Sequence, residues 1–132
     1  LKRNTNDLSD VNIHQIGLSE TRKKLTLYNV AERPDSGFYT STPYKTFLTP
    51  YLEIQCEKLD DLGLDPTFIK VDIQGGEMDF LIGAEQTIRR CKPGFMIEGE
   101  LEDPDQETLT WLKDLGYRLE CATSSDYLMV AI

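Results

Sequence analysis

The apolar positions become regular from residue 52 onward, and their spacing predicts strands and helices in alternation. Leu52, Ile54 and Cys56 alternate with polar residues, which is typical of a half-buried strand. The run 68–73 is mostly apolar and rich in β-branched residues, so we expect a central strand buried on both faces. Apolar residues then recur at helical spacing between 78 and 88, and the cations that follow favour the end of a helix.

The remaining sequence continues this alternation. Residues 95–98 predict another strand, and Asp103-Pro104 is typical of a helix start, with Gly116 at the helix end. Two final strands, 117–122 and 127–132, are separated by turn-forming residues. Strand–helix–strand order places strands in parallel with right-handed crossovers, so we predict an α/β fold with a mostly parallel sheet and a C-terminal antiparallel hairpin.

The first part of the chain is less regular. Residues 11–16 predict a short strand that Gly17 ends, and residues 25–30 predict a second strand. The segment that follows the second strand holds three of the six prolines, with Asp, Ser, Gly and Thr between them. This composition predicts a long loop over 31–51. Loops of this length inside a compact domain are usually functional or mobile.

Length and charge narrow the class of protein. The 132 residues predict one domain, 1–132, that is long enough to bury a core. With 14 Lys and Arg against 23 Asp and Glu, the net charge is −9, which disfavours nucleic acid and anionic membrane surfaces as partners. No apolar run approaches the roughly 18 residues that a membrane span requires. The first residue is Leu1, so we expect a trimmed start or a piece of a longer protein.

The cysteines favour a reducing compartment. Cys56, Cys91 and Cys121 are odd in number and far apart, and no Cys-x-x-Cys pair indicates zinc. We therefore expect free thiols in the cytoplasm. His14 is the only histidine and has no nearby nucleophile pattern, so the sequence supports no hydrolytic triad.

Acidic and amide side chains follow the predicted parallel strands. Asp72 and Glu98 end two strands, and Gln74 and Glu77 lie in or just after the turn that follows the first. Ligands of open parallel sheets bind outside the carboxyl ends of the strands, so these four residues predict one crevice that could deprotonate a hydroxyl or hold a cation. An equally good interpretation is that Glu77 only favours the helix dipole and Asp72 only caps the turn.

Several motifs together resemble one family. They are Leu59-Asp60-Asp61-Leu62, the run Phe68-Ile69-Lys70-Val71-Asp72-Ile73-Gln74-Gly75-Gly76-Glu77, Leu81-Ile82-Gly83-Ala84, Pro93 and Glu98. In order and spacing they are similar to the FkbM-type family of S-adenosylmethionine-dependent methyltransferases. Gln74 stands where that family usually has Glu, and Gly76 where it usually has Ala, so one carboxylate is missing from the crevice.

The resemblance implies a partial class I methyltransferase (Rossmann-like) fold whose first strand–helix–strand would lie before Leu1. It implies S-adenosylmethionine as cofactor, with Gly17, Leu18 and Ser19 near the adenine and most of the cofactor site outside the chain. It also implies methyl transfer to a hydroxyl of a sugar or small metabolite. Asp72 or Glu77 would be the base, Gln74 and Glu98 would orient the acceptor, and the fragment alone would be inactive. No metal ligand set is implied.

The missing strands also imply open sheet edges. In the parent fold they would lie between the first strand present and the strand at Phe68, and bare edges invite pairing with another chain. We therefore expect a homodimer through unpaired edges, or strand exchange, that involves the N-terminal hairpin or the long loop Glu32–Pro50. The alternative function is a non-catalytic α/β module that binds a protein partner.

Overall fold

The structure is a computed structural model, and it describes residues 9–30, 39–40, 48–73, 75–98, 106–123 and 126–132. In this part of the chain eight strands form two sheets. The strands are β1 (Gly17–Leu18), β2 (Lys23–Val30), β3 (Tyr39–Thr40), β4 (Leu48–Glu57), β5 (Phe68–Val71), β6 (Gly94–Glu98), β7 (Tyr117–Ala122) and β8 (Asp126–Ala131). The helices are a 3₁₀ turn (Leu59–Leu62), α1 (Glu77–Gly83), α2 (Glu85–Cys91) and α3 (Gln106–Asp114).

The first sheet has the strand order β1-β4-β2-β3. Its long antiparallel pair, β2 with β4, places Leu25 beside Ile54 and Leu27 beside Leu52, as the alternation of apolar residues predicts. Two sequence predictions are wrong here. The first strand is Gly17–Leu18 and not residues 11–16, and residues 48–51 of the predicted loop belong to β4. The rest of that loop, apart from β3, lies outside the described residues.

The second sheet has the order β5-β6-β8-β7. Among the described strands, β1–β4 and β5–β6 are parallel and the other four neighbouring pairs are antiparallel. The prediction of a mostly parallel sheet is therefore wrong, although the C-terminal hairpin β7–β8 is confirmed. The physical reason is that β8 returns through a short turn, which only permits antiparallel pairing, and inserts between β6 and β7.

The position of β5 also differs from the prediction. The strand lies at the edge of its sheet in the described part of the chain, and not at the centre. Phe68 is accordingly 52% exposed, whereas Val71 is buried on the other side of the strand. Odd-numbered residues of β5, β6 and β8 face the core, and even-numbered residues face away from it.

The described helices pack on one face of this second sheet. Phe80 and Leu81 of α1, Ile88 of α2, and Leu109 and Leu112 of α3 share one buried cluster with the odd-numbered strand residues. The phenyl ring of Phe95 meets the ring of Tyr117 edge-on, with centroids 5.5 Å apart. Trp111, off the leucine stripe of α3, is half-buried against the same cluster.

The helix predicted over 78–88 is broken into two. Gly83 is buried at the end of α1, where a Cβ atom would overlap the backbone carbonyl of Ser19. Ala84 then leaves the helical conformation, with φ −114° and ψ 1°. The second helix begins without a side-chain cap of its own. Instead, the Asp60 carboxylate accepts hydrogen bonds from the backbone N–H groups of Gln86 (3.2 Å) and Thr87 (2.8 Å).

The predicted end of the last helix is confirmed. Gly116 follows α3 with φ +86°, a left-handed conformation that glycine adopts without steric cost. Its carbonyl also accepts a hydrogen bond from the N–H of Ile132, which fastens the C-terminus beside the helix end. The predicted helix start at Asp103-Pro104 lies outside the described residues.

Candidate functional site

Three carboxylates lie side by side at one end of the second sheet. Val71 of β5 is in register with Ile97 of β6, so Asp72 and Glu98 are the next residues along the two parallel strands. Glu98 is in turn directly opposite Asp126 of β8. The register therefore brings Asp72 and Glu98 together, and Asp126 joins them through the antiparallel pairing of β6 with β8. The functional roles of these residues stay a prediction.

A lysine accompanies these acids. The Nζ atom of Lys70 lies 2.8 Å from Oδ2 of Asp72, and both side chains are about half exposed. Lys70 and Asp72 are two residues apart, so in an extended strand they face the same side. Hydrogen bonding to Asp72, followed by attraction to Asp72, Asp126 and Glu98, raises the pKa of Lys70 above its ordinary value. The lysine therefore stays a cation within the acidic group.

Glu98 and Asp72 interact as a pair. A side-chain hydrogen bond with Asp72 raises the pKa of Glu98, and partial desolvation and the negative charge of Asp72 act in the same direction. Lys70 opposes this shift. The pair thus keeps a proton on Glu98 to higher pH than an isolated glutamate would, and Asp72 accepts the resulting hydrogen bond.

Lys70 and Asp126 belong to this group although the sequence patterns did not predict them. The i, i+2 spacing of Lys70 from Asp72 in a strand is the pattern that could have identified Lys70. Nothing local identifies Asp126, because it is adjacent to Glu98 only through the pairing of β6 with β8.

Glu77 stabilises the turn that follows β5. The carboxylate of Glu77 accepts a hydrogen bond from the N–H of Gly75 at 3.1 Å, so it closes the turn that precedes α1. This agrees with the interpretation in which Glu77 serves the helix start. Gln74 lies outside the described residues. The structure therefore unites Asp72 with Glu98 but gives Glu77 a partner in its own turn.

The predicted adenine-binding residues lie at the end of β1. Gly17 and Leu18 form the strand, and Ser19 is only 2% exposed. The Ser19 hydroxyl donates a hydrogen bond to Oδ2 of Asp79 at 3.3 Å, and the same oxygen accepts one from Lys23 at 2.9 Å. Ser19 is the one residue of the three that has a polar side chain, and this side chain points at α1. Their role in cofactor binding stays a prediction.

The other residues that the sequence analysis considered lie apart from this acidic group. His14 is exposed, Cys56 is buried, Cys91 is half-buried and Cys121 is exposed, all three cysteines being free thiols. Desolvation raises the pKa of the Cys56 thiol, which lowers the fraction of reactive thiolate. Within the described ranges, no three His, Cys, Asp or Glu side chains are arranged to hold a metal ion. None of the described helices is both long enough and apolar enough to cross a membrane.

The chain is similar to known proteins of one family. Residues 3–119 match the family described as the Methyltransferase FkbM domain. Among solved structures, the chain is similar to methyltransferase FkbM from Methylobacillus flagellatus KT, with 20% sequence identity and a TM-score of 0.60. The match covers 96% of this chain and 31% of that chain, and at this identity it shows a common fold. No curated protein matches the chain.

Proposed function

Because the chain belongs to the family of FkbM methyltransferase domains, we propose that it forms the acceptor side of an S-adenosylmethionine-dependent methyltransferase. The observation that supports this proposal is the hydrogen-bonded pair of Asp72 and Glu98, with Lys70 beside it, at the carboxyl ends of two parallel strands. Ligands of α/β sheets bind at such ends. The proposed acceptor is a hydroxyl group of a sugar or small metabolite.

The residues of the pair have different roles in this proposal. A hydroxyl becomes a better nucleophile when a base within hydrogen-bond distance accepts its proton, and we assign that role to the carboxylate of Asp72. We assign Glu98, which lies beside Asp72, to orienting the acceptor, while Lys70 is a positioning residue that holds Asp72 at 2.8 Å. Holding the acceptor in one geometry contributes much of the rate in displacement reactions.

We propose that the cofactor binds to a polypeptide that is longer than residues 1–132. The cofactor would supply the methyl group. The Ser19 hydroxyl donates a hydrogen bond to Asp79, and we assign Gly17, Leu18 and Ser19 no role in the transfer itself. The chain spans 31% of the length of the FkbM structure that it resembles. We therefore propose that residues outside 1–132 supply most of the cofactor site and that residues 1–132 alone are inactive.

Isothermal titration with S-adenosylmethionine tests the division of the site. We expect no binding heat with the 132-residue chain and measurable binding with a polypeptide extended by the coding sequence upstream of Leu1. Absence of binding by both proteins would contradict the proposal and favour a non-catalytic α/β module that binds a protein partner. Binding by the 132-residue chain would contradict the assignment of the cofactor site to residues outside it.

The role of Asp72 is tested in the extended polypeptide by Asp72→Asn. Loss of a general base lowers turnover by about 100-fold or more. The matched control is Asp61→Asn, an exposed aspartate in the 3₁₀ turn. Methyl transfer is followed with a radiolabelled methyl donor over a panel of sugars and hydroxylated metabolites. Equal turnover of the two variants would refute the assignment of Asp72 as the base.

A further inference from the structure

Helix α1 contacts Ser19 of the first sheet in its first turn and again at its last residue. The Ser19 N–H donates a hydrogen bond to the carbonyl of Glu57 at 3.0 Å, which ties this residue to β4. Its hydroxyl donates a hydrogen bond to Oδ2 of Asp79 in the first turn of α1, and its carbonyl lies against Gly83 at the helix end. Ser19 is 2% exposed, so these contacts are made away from water. The helix is thus fixed to the first sheet at two points.

Lys23, the first residue of β2, strengthens the contact at the first turn. Its Nζ atom lies 2.9 Å from Oδ2 of Asp79, the same oxygen that accepts the hydrogen bond from Ser19. The hydrogen bond to Asp79 is the largest of the causes that raise the pKa of Lys23, so the lysine stays a cation. An ion pair with side chains 32% and 48% exposed adds little to stability. What the pair fixes is the place of the first turn of α1 relative to β2.

The connection from β5 to α1 is held from the helix side. The Glu77 carboxylate accepts a hydrogen bond from the N–H of Gly75 at 3.1 Å, and the carbonyl of Gly76 accepts one from the N–H of Phe80 at 3.0 Å. Both bonds are made by residues in the first turn of α1. A displacement of that turn therefore moves the connection, and with it the backbone that follows Asp72.

We propose that Lys23 is a positioning residue for the pair of Asp72 and Glu98, and that it acts through Asp79 and the first turn of α1. Lys23 belongs to the first sheet and the pair lies at the end of the second sheet, so α1 carries the effect from one sheet to the other. The consequence for methyl transfer rests on the proposed function, whereas the placement of the pair is tested without turnover.

Titration of the Glu98 carboxyl group by carbon-13 NMR in the 132-residue chain tests the placement. In the unmodified chain a hydrogen bond with Asp72 raises the pKa of Glu98. Lys23→Met loosens the connection after Asp72 and weakens this bond, so the pKa of Glu98 should fall towards its ordinary value. Loss of the lysine charge alone has the opposite sign, since removal of a cation raises the pKa of a carboxyl group. Lys70 and Asp126, which also act on Glu98, are the same in both chains. A raised or unchanged pKa of Glu98 in Lys23→Met would overturn the proposal.

Further variants test the route through Asp79. Asp79→Ala should lower the pKa of Glu98 as well, and its combination with Lys23→Met should lower it no further, because both changes break the same link. Lys23→Arg keeps the cation and should restore the unmodified value. The matched control is Lys24→Met, the neighbouring residue of β2, whose Nζ atom pairs with Glu53 at 2.8 Å. Circular dichroism verifies that each variant folds. Additive shifts in the double variant, or an equal shift in Lys24→Met, would overturn the assigned route.

Turnover of the extended polypeptide tests the consequence for methyl transfer. Misplacement of a reacting group lowers the rate of the chemical step, so Lys23→Met should reduce kcat about tenfold or more. The KM for S-adenosylmethionine should stay within about threefold, because a positioning residue acts on the chemical step. Lys23→Arg and Lys24→Met should keep the unmodified kcat. An unchanged kcat in Lys23→Met would overturn its role in catalysis. An unmodified polypeptide without turnover would contradict the proposed function, while the titration still decides the placement.

Discussion

Asp60 stabilises a helix that begins 25 residues later in the sequence. Its carboxylate accepts hydrogen bonds from the backbone N–H groups of Gln86 and Thr87, which are among the unpaired donors in the first turn of α2. Residue Ala84, the position before the helix, has no side chain that could take this role. We predict that Asp60→Ala destabilises the protein by leaving both donors without their acceptor.

The magnitude follows from the two contacts. Loss of a helix cap costs about 0.5–2 kcal/mol, and loss of a negative charge near a helix N-terminus costs about 0.3–1 kcal/mol. Thr87 is 1% exposed, so water replaces the lost bond to its N–H poorly. The terms overlap, and we expect a decrease of about 2 kcal/mol in the free energy of unfolding for Asp60→Ala. Asp60→Asn keeps one acceptor and should lose about half as much.

Urea unfolding followed by circular dichroism measures this effect. With a slope of about 2 kcal/mol per molar urea, the midpoint of Asp60→Ala should fall by about 1 M. The matched control is Asp61→Ala, because Asp61 is an exposed aspartate in the same 3₁₀ turn and should change stability by less than about 0.5 kcal/mol. Equal midpoints for Asp60→Ala and Asp61→Ala would refute the capping role of Asp60.

Three further substitutions test packing and protonation. Gly83→Ala places a Cβ atom on the Ser19 carbonyl, so it should lower the free energy of unfolding by about 3 kcal/mol in the same urea assay. This loss is expected although alanine has the better helix propensity. A loss below about 1 kcal/mol would contradict the close packing of Gly83 against Ser19. Tyr117→Phe removes a buried hydroxyl that makes no hydrogen bond within the described residues, so stability should stay equal or rise by up to about 1 kcal/mol. Burial raises the pKa of Tyr117 to about 12, so the folded state loses stability as pH rises from about 10 towards 12, and Tyr117→Phe should reduce this alkaline loss; an unchanged alkaline profile would argue against the burial of this hydroxyl. The pKa of Glu98 is likewise raised above its ordinary value, so stability falls as pH rises through its titration, and Glu98→Gln should flatten the pH profile there. A profile that stays as steep or becomes steeper would contradict the raised pKa.

The candidate site shows how far sequence reasoning reaches. Asp72 and Glu98 could be predicted, because each follows a recognisable strand and parallel strands end at the same edge of a sheet. Glu77 could be assigned two roles from the sequence, and the bond from Gly75 supports the local one. Asp126 could not be predicted, because it lies beside Glu98 only after the hairpin inserts β8 next to β6.

The family motifs acquire physical reasons only in three dimensions. Asp60 in Leu59-Asp60-Asp61-Leu62 caps α2, and Gly83 in Leu81-Ile82-Gly83-Ala84 lets α1 lie against the carbonyl of Ser19. Each motif is recognisable as a string of letters. In both motifs the partner is more than 20 residues away in the chain, so no local pattern indicates what Asp60 or Gly83 contacts.

The sequence by itself determined which segments are strands and helices in the second half of the chain and the family to which the chain belongs. These properties depend on spacing over a few residues, because apolar periodicity and terminal residues act locally. In the described part of the chain, only the tertiary structure decided that β5 lies at an edge of its sheet, that antiparallel pairs predominate, and that the neighbouring Asp72 raises the pKa of Glu98. These depend on which strands become neighbours, and that is set by how distant segments pack around one core.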